Sequence, residues 1–182
     1  MAHSAEEEVA RNFICFGGSD GVVVVCDATC LERNLNLVLQ TLELQPRTVV
    51  CVNLLDEAER KGVRVELEAL SRRLGVPVVG AAAGRGEGLE ALMAAVEGVI
   101  SAPEPPTPVP VRYPPPVEFA VASLRPLLEP RLRGRLPARW TALRLLEGDG
   151  AFLDRLSAAL EWDPRADAAL WGAVEEARAV LE

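Results

Sequence analysis

Apolar and polar positions divide the N-terminal half of the chain into alternating units of two kinds. Three short runs, rich in β-branched residues, carry apolar side chains on both faces, which is typical of buried parallel strands. The runs lie at 21–27, 47–53 and 76–83. Each ends in polar or small residues, and loops at the carboxyl ends of such strands are where open α/β sheets bind ligands.

Apolar residues at helical spacing follow each of the three strands. The stripes run from Leu31 to Leu44, from Val65 to Leu74 and from Leu89 to Ile100, and each predicts a helix with one face on the sheet. Right-handed crossovers turn this order into an α/β fold. We expect a three-stranded parallel sheet with helices on both faces.

Another helix is predicted ahead of the first strand, over residues 4–16. Ser4 and Glu7 have the spacing of a capping box at its start. Gly17 and Gly18 are expected to end it.

The C-terminal part of the chain has no strand pattern. Residues 103–116 contain eight of the 14 prolines, which predicts a semi-rigid linker. Beyond it, helical spacing predicts an all-α subdomain with helices at 117–132, 137–147, 151–160 and 164–181. We therefore expect a partial sheet-containing domain at 1–102, a linker at 103–116 and a helical subdomain at 117–182.

Composition narrows the possible functions. No apolar run approaches the ~20 residues that cross a bilayer, and no signal peptide is recognisable, so a cytoplasmic location is expected. The net charge of −8 argues against nucleic acid as a partner. His3 is the only histidine, which nearly excludes histidine-based catalysis and a His/Cys zinc site.

The four cysteines, Cys15, Cys26, Cys30 and Cys51, lie in apolar settings without paired C-x-x-C spacing. They are interpreted as reduced core thiols of a cytosolic protein. Metal binding by Cys26 and Cys30 is an alternative, but no further ligand accompanies this pair, and no metal site is predicted.

Asn53 and Asp56 follow the second strand in an N-x-x-D arrangement. A fixed Asp carboxylate at a strand end accepts two hydrogen bonds from the N1–H and exocyclic amine of guanine, a donor pair that adenine lacks. The alternative interpretation is an Asn/Asp turn followed by the N-cap of the next helix.

Five segments carry a resemblance to a known family. They are Cys26–Leu35, Asn53–Ala58, Leu74–Val79, Gly86–Leu89 and Arg139–Asp149. The first four together resemble the GTPase domain of the ferrous iron transport protein B family. The fifth resembles that family's helical domain, which regulates nucleotide release.

The resemblance implies a P-loop-GTPase-like fold in which Asn53, Asp56, Ala82 and Ala83 form the guanine-binding loops. In the intact family protein, GTP or GDP binds with Mg²⁺ at the cytoplasmic face of the cell membrane and gates ferrous iron uptake. The implied partners are guanine nucleotide and the rest of the transporter.

The family's phosphate-binding loop, G-x-x-x-x-G-K-[ST], is missing from this sequence, whose only lysine is Lys61. That loop requires a lysine for the phosphates and a hydroxyl for magnesium. The first switch and the D-x-x-G segment are missing too. Because residues 4–11 resemble the family sequence that follows D-x-x-G, the chain is expected to begin in the second switch region. We predict no catalytic residue, no hydrolysis, and weak or no GTP binding.

Two departures lie within the matching part. Leu54 replaces the lysine that is usual in small GTPases, although the family accepts an apolar residue there. Ala81, Ala82 and Ala83 replace a T-S-A-like loop. The Ala83 N–H is still expected to reach the guanine O6, but the hydroxyl that braces the Asp carboxylate is lost, so base recognition is expected to be weakened.

An exposed strand edge is also expected. In GTPase sheets the strand that matches residues 22–26 pairs on its far side with the P-loop strand. Without that neighbour the edge recruits partners, so we predict self-association through residues 22–26 or shielding by the helix at 5–16. This leaves an alternative function, a nucleotide-free protein–protein interaction or regulatory module.

Overall fold

The computed structural model of this chain describes residues 5–181, which form two compact units. One unit comprises Ser19–Val111 and contains the sheet. The other is helical and combines the residues up to Gly18 with those from Arg112 onward. This is the predicted fold class, an α/β sheet followed by a helical subdomain.

The α/β unit follows the predicted order of strands and helices. Its elements are β1 (Val22–Asp27), α2 (Leu31–Leu44), β2 (Thr48–Asn53), α3 (Leu55–Arg60), α4 (Leu67–Leu74), β3 (Val78–Gly80) and α5 (Leu89–Ser101). The three strands are parallel and lie in the order β1-β2-β3. Val49 and Val50, which point to opposite faces of the central strand, are both buried, as expected for a parallel strand covered on both faces.

Two details of this unit differ from the sequence-based expectation. Residues 55–60, where no apolar stripe predicts a helix, form the short helix α3. The strand predicted at 76–83 is confined to Val78–Gly80. The pairing of β3 with β2 ends at Ala81. The Ala81 N–H still donates to the Val52 carbonyl of β2 (2.8 Å), but the Ala81 carbonyl accepts from the Leu55 N–H, which belongs to α3 (3.1 Å).

The helical unit has a core of large aliphatic side chains around two aromatic rings, those of Phe152 and Trp140. Its helices are α1 (Ala5–Phe16), α6 (Pro115–Leu132), α7 (Ala138–Glu147), α8 (Gly150–Leu160) and α9 (Ala168–Leu181). Phe152, Leu124 and Leu145 are fully buried. The last helix starts later than predicted because Pro164–Ala166 form a separate 3-10 turn.

Helix α1 packs in the helical unit, whereas the predicted domain limits placed it with the sheet. The Arg11 Nη1 donates to Asp149 Oδ2 at 2.6 Å, and the Phe16 ring stacks on Phe152 with centroids 6.4 Å apart. These contacts hold α1 on α8. The capping box predicted for this helix includes Ser4, which lies outside the described residues.

The first part of the predicted linker belongs to the α/β unit. The Val109 N–H donates to the Leu74 carbonyl at 2.9 Å, and residues through Val111 fall within that unit. Across residues 5–181, no helix combines the length and apolar character that a membrane span requires.

Candidate functional site

Asp27 and Asn53 lie side by side at the carboxyl ends of β1 and β2, where they are paired in the register of the two strands. The Asp27 carboxylate is occupied by its own loop, because the Thr29 N–H donates to Oδ1 at 2.7 Å. The Asp27 N–H in turn donates to Asn34 Oδ1 at 2.7 Å. The hydrogen bonds from Thr29 lower the pKa of the Asp27 carboxyl, so this charge serves to close the loop after β1.

Asn53 and Ala83, two of the predicted guanine-binding residues, are in direct contact. The Ala83 N–H donates to Asn53 Oδ1 at 3.0 Å. This hydrogen bond joins the loop after β2 to the loop after β3 at the same edge of the sheet. Ala83 is exposed and Asn53 is half-buried, so a ligand can reach both.

Ala82 shapes the loop after β3. It is buried, its N–H donates to the Glu87 carbonyl at 3.1 Å, and its carbonyl accepts from the Glu87 N–H at 3.3 Å. The loop closes at Gly88, which has a φ of +84°. A Cβ atom there would lie 2.9 Å from the Ala81 Cα, so only glycine lets the chain pass this close to the strand end.

Asp56 lies in the first turn of α3 and is half-buried. The residue before this helix, Leu54, is its N-cap and adopts a left-handed conformation with a φ of +62°. Arg60 pairs with Asp56 one turn later, with 3.6 Å between Nη2 and Oδ2. The alternative interpretation of the N-x-x-D segment holds in part, since a helix follows directly but Asp56 does not cap it.

These groups offer a ligand one half-buried carboxylate, one amide side chain and one exposed backbone N–H. Residues 5–181 contain no cluster of three or more His, Cys, Asp or Glu side chains that could hold a metal ion. Cys26 is buried, and burial raises the pKa of its thiol to about 11, so it is protonated at neutral pH. The site has the character of a hydrogen-bonding surface.

Two residues around the predicted site, Asn34 and Arg60, escaped the sequence reasoning, and Leu54 was noted only as a departure from the family motif. Asn34 braces the loop after β1, Leu54 supplies the left-handed turn, and Arg60 neutralises Asp56. The spacing of Asp56 and Arg60, four residues apart, was a detectable signal once a helix was assigned there. No sequence pattern marked Leu54, because leucine rarely adopts a positive φ.

A cavity of the α/β unit lies apart from these residues. It has a volume of about 920 Å³ and is lined by α2, α4 and the residues that precede them, including Cys30, Arg33, Arg64 and Arg73. Asn53, Asp56, Ala82 and Ala83 are not among its lining residues in the described chain.

Both parts of the chain match models of known protein families. A sequence model described as "Ferrous iron transport protein B" matches residues 1–96, and one described as "FeoB cytosolic helical domain" matches residues 113–182. The Fe(2+) transporter FeoB of Escherichia coli (strain K12) is 38% identical over 146 residues, which is 80% of this chain and 18% of that protein. FeoB of Salmonella typhimurium is 47% identical over 94 residues, 52% of this chain and 12% of that protein.

Solved structures agree with this assignment. The cytosolic domain of T. maritima FeoB in its apo form has a TM-score of 0.76 and 25% identity, over 98% of this chain and 71% of that chain. Its GMPPNP form has a TM-score of 0.73 and 26% identity, again over 98% and 71%. This chain therefore belongs to the ferrous iron transport protein B (FeoB) family and corresponds to its cytosolic GTPase and helical domains.

Proposed function

We propose that this chain is the base-recognising part of the cytosolic region of a ferrous iron transporter. In this proposal the loops after β2 and β3 recognise guanine, and no residue of the chain binds the phosphates or Mg²⁺. In the intact protein, at the cytoplasmic face of the membrane, the region regulates Fe(II) transport. The observation that carries the proposal is the hydrogen bond between Ala83 and Asn53, which brings two predicted base loops together.

Each group has a distinct part in the proposed recognition. The Asp56 carboxylate accepts the N1–H and exocyclic amine of guanine, for which it exchanges its contact with Arg60. The Ala83 N–H gives up its hydrogen bond to Asn53 Oδ1 and donates to the guanine O6 instead. Ala82 presents no hydroxyl to brace Asp56, and its N–H is held by Glu87, so its contribution is to the shape of the loop.

The proposed affinity is low. Related cytosolic domains of T. maritima FeoB were solved in GMPPNP and GDP forms, so members of the family bind guanine nucleotides. In P-loop proteins the phosphates and Mg²⁺ supply most of that binding and the catalysis. The remaining groups make a few hydrogen bonds worth roughly 1.5–3 kcal/mol each before ordering costs, which corresponds to a Kd of about 1 mM or weaker.

A titration of the chain with a fluorescent GDP analogue tests the proposal. We expect a Kd in the millimolar range and no phosphate release from GTP. Micromolar affinity would contradict the proposed absence of phosphate binding. NMR titration with GDP and with xanthosine diphosphate (XDP) checks the base selectivity. Asp56→Asn should reverse the preference toward XDP, because the C2 carbonyl of xanthine accepts a hydrogen bond from the new amide. Glu57→Gln is the matched control and should leave GDP preferred.

A second candidate function, a protein–protein interaction module, is favoured by the outer strand of the sheet. Among the described residues, β1 pairs only with β2, so its other edge has no strand partner. Val23 and Val25 are 39% and 60% exposed. Residues 22–26 of β1 carry no charge and no proline. Such a segment at a free edge pairs readily with another chain, and we propose self-association through residues 22–26.

Analytical ultracentrifugation tests this second candidate. We expect a concentration-dependent dimer that Val25→Lys weakens at least tenfold, because the lysine places a charge beside the edge. Val109→Lys is the control, since Val109 is 51% exposed in the same unit but lies outside the sheet. A monomer at all concentrations would contradict self-association without bearing on guanine recognition.

A further inference from the structure

The cavity between α2 and α4 gathers positive charge in a chain that is acidic as a whole. Arg33 lies in the first turn of α2, Arg64 lies just ahead of α4, and Arg73 lies in the last turn of α4. All three side chains line the cavity and are exposed, so a ligand can reach them. We call this space, with its three arginines, the arginine cavity.

The three arginines of this cavity differ from the others of the α/β unit in having no partner. That unit contains seven arginines. Four of them pair with a carboxylate or donate to backbone carbonyls, namely Arg47, Arg60, Arg72 and Arg85. Within residues 5–181, the three cavity arginines make no ion pair and no hydrogen bond. The unpaired guanidinium groups of this unit are therefore collected in one place.

Two carboxylates, those of Glu32 and Glu66, also line the arginine cavity. Neither forms an ion pair with an arginine of the described chain. The lining side chains thus carry three positive and two negative charges. This small excess suits a compact anion held on the arginines and does not suit an extended polyanion such as nucleic acid.

The floor of the arginine cavity is apolar. Leu31, Val65 and Leu70 line it and are half-buried, because they pack against the core of the α/β unit. The volume of about 920 Å³ falls within the range of roughly 300–1,000 Å³ that is usual for small-molecule sites. A cationic rim above an apolar floor fits a ligand with an anionic head and an apolar body.

Phosphate is the anionic head that arginines suit best. The planar guanidinium presents its N–H donors in a fork that matches phosphate oxygens, and a phosphate monoester carries nearly two negative charges at neutral pH. We propose that the arginine cavity binds a phosphate monoester attached to an apolar organic body, with the phosphate on the arginines and the body on the floor. The loops proposed to recognise guanine do not line this cavity, so the two sites are separate.

NMR titration of the isotope-labelled chain with phenyl phosphate tests the proposal. We expect saturable shifts of the backbone amides at 30–33 and 63–73, with a Kd of about 1 mM or tighter. Inorganic phosphate should bind at least about threefold more weakly, because it has no group to cover the floor. The same affinity for both probes would overturn the proposal, as would a lack of saturation up to about 10 mM phenyl phosphate.

The two walls of the cavity are tested by separate variants. Arg73→Gln on α4 and Arg33→Gln on α2 should each weaken phenyl phosphate binding by roughly tenfold. Arg72→Gln is the matched control, because Arg72 is the exposed neighbour of Arg73 on the same helix, pairs with Glu68 and does not line the cavity. Equal losses in Arg72→Gln and Arg73→Gln would show a diffuse charge effect and overturn the site. Circular dichroism checks that each variant is folded.

Phosphate monoesters occur on soluble metabolites and on the lipid phosphatidic acid. Co-sedimentation with phosphatidylcholine vesicles that contain phosphatidic acid, compared with vesicles that lack it, separates these sources. Phenyl phosphate binding without co-sedimentation assigns the cavity to a soluble compound. Co-sedimentation that requires phosphatidic acid and is lost in Arg73→Gln assigns it to the lipid headgroup.

Discussion

At the scale of single residues, the loop after β3 depends on a glycine that no other residue can replace. Gly88 combines a positive φ with close approach to the backbone of Gly80 and Ala81. Gly84, four residues earlier in the same loop, has open space around it. The two glycines therefore form a matched pair for testing how tightly this loop is built.

We expect Gly88→Ala to destabilise the α/β unit by roughly 2–4 kcal/mol, from backbone strain and the clash with the strand end. Gly84→Ala should change stability by less than about 0.5 kcal/mol. Urea unfolding followed by far-UV circular dichroism measures both. Equal effects of the two substitutions would show that the loop relaxes away from the strand.

At the scale of secondary structure, the attachment of α1 to α8 relies on a mostly buried ion pair. Asp149 caps α8 by accepting from the Phe152 N–H at 2.9 Å and also pairs with Arg11. Burial acts to raise the pKa of Asp149, but the hydrogen bonds from Phe152 and Arg11 outweigh it and lower the pKa below its ordinary value of 3.8.

Asp149→Ala should cost about 3–5 kcal/mol, because Arg11 is left buried without its partner and the helix cap is lost. Asp163→Ala, which removes an exposed cap and an exposed ion pair, should cost less than about 1 kcal/mol. Urea unfolding followed by tryptophan fluorescence reads this region, since Trp140 packs edge-on against Phe152. Similar losses in both variants would contradict the role of burial.

The Asp149 carboxyl makes the free energy of unfolding depend on pH. Its folded pKa is depressed, so its contribution is complete above the ordinary value of 3.8 and is lost as the pH falls through the folded pKa. The difference in unfolding free energy between the parent chain and Asp149→Ala should therefore shrink below pH 4. A constant difference down to the acid limit would contradict this linkage.

The helices and strands that sequence reasoning identified are those with a long or strongly apolar repeat. α2 and α4 end where their leucine stripes and Gly75 indicate. α3 was missed because six residues, mostly charged, are too few to show a helical period. The placement of α1 was not predictable, since an apolar stripe shows that a face is buried but not which core buries it.

The candidate site was predictable only in part. Asn53 was singled out because loops at the ends of parallel strands bind ligands, whereas Ala83 was named only through the resemblance to the GTPase domain. The structure shows the two in contact, and their role in guanine binding stays a prediction. Asn34 acts through a hydrogen bond with Asp27, seven residues away, which becomes its neighbour only after folding. The ion pair of Arg60 with Asp56 required only that α3 be assigned as a helix.

At the scale of the whole molecule, the aromatic residues are confined to one unit. All three tryptophans, the tyrosine and the four phenylalanines of the sequence fall outside Ser19–Val111. The core of the α/β unit is built instead from aliphatic side chains and cysteine. Tryptophan fluorescence therefore reports on the helical unit, whereas circular dichroism reports on both.

Each unit has its own core, so we expect core substitutions to act locally. Leu124→Ala should lower the stability read by tryptophan fluorescence by about 2–5 kcal/mol. Val50→Ala should lower the stability of the α/β unit by roughly 2–3 kcal/mol, read by circular dichroism, and leave the fluorescence transition in place. A fluorescence shift caused by Val50→Ala would show that the two units unfold together.

The left-handed turn at Leu54 and the bond between Ala83 and Asn53 are formed as the chain folds. A purine that reaches these loops would exchange one hydrogen bond for another and would not have to order a disordered segment. Association at this edge should then be a single rapid step whose rate is set by encounter, with no slow phase from rearrangement.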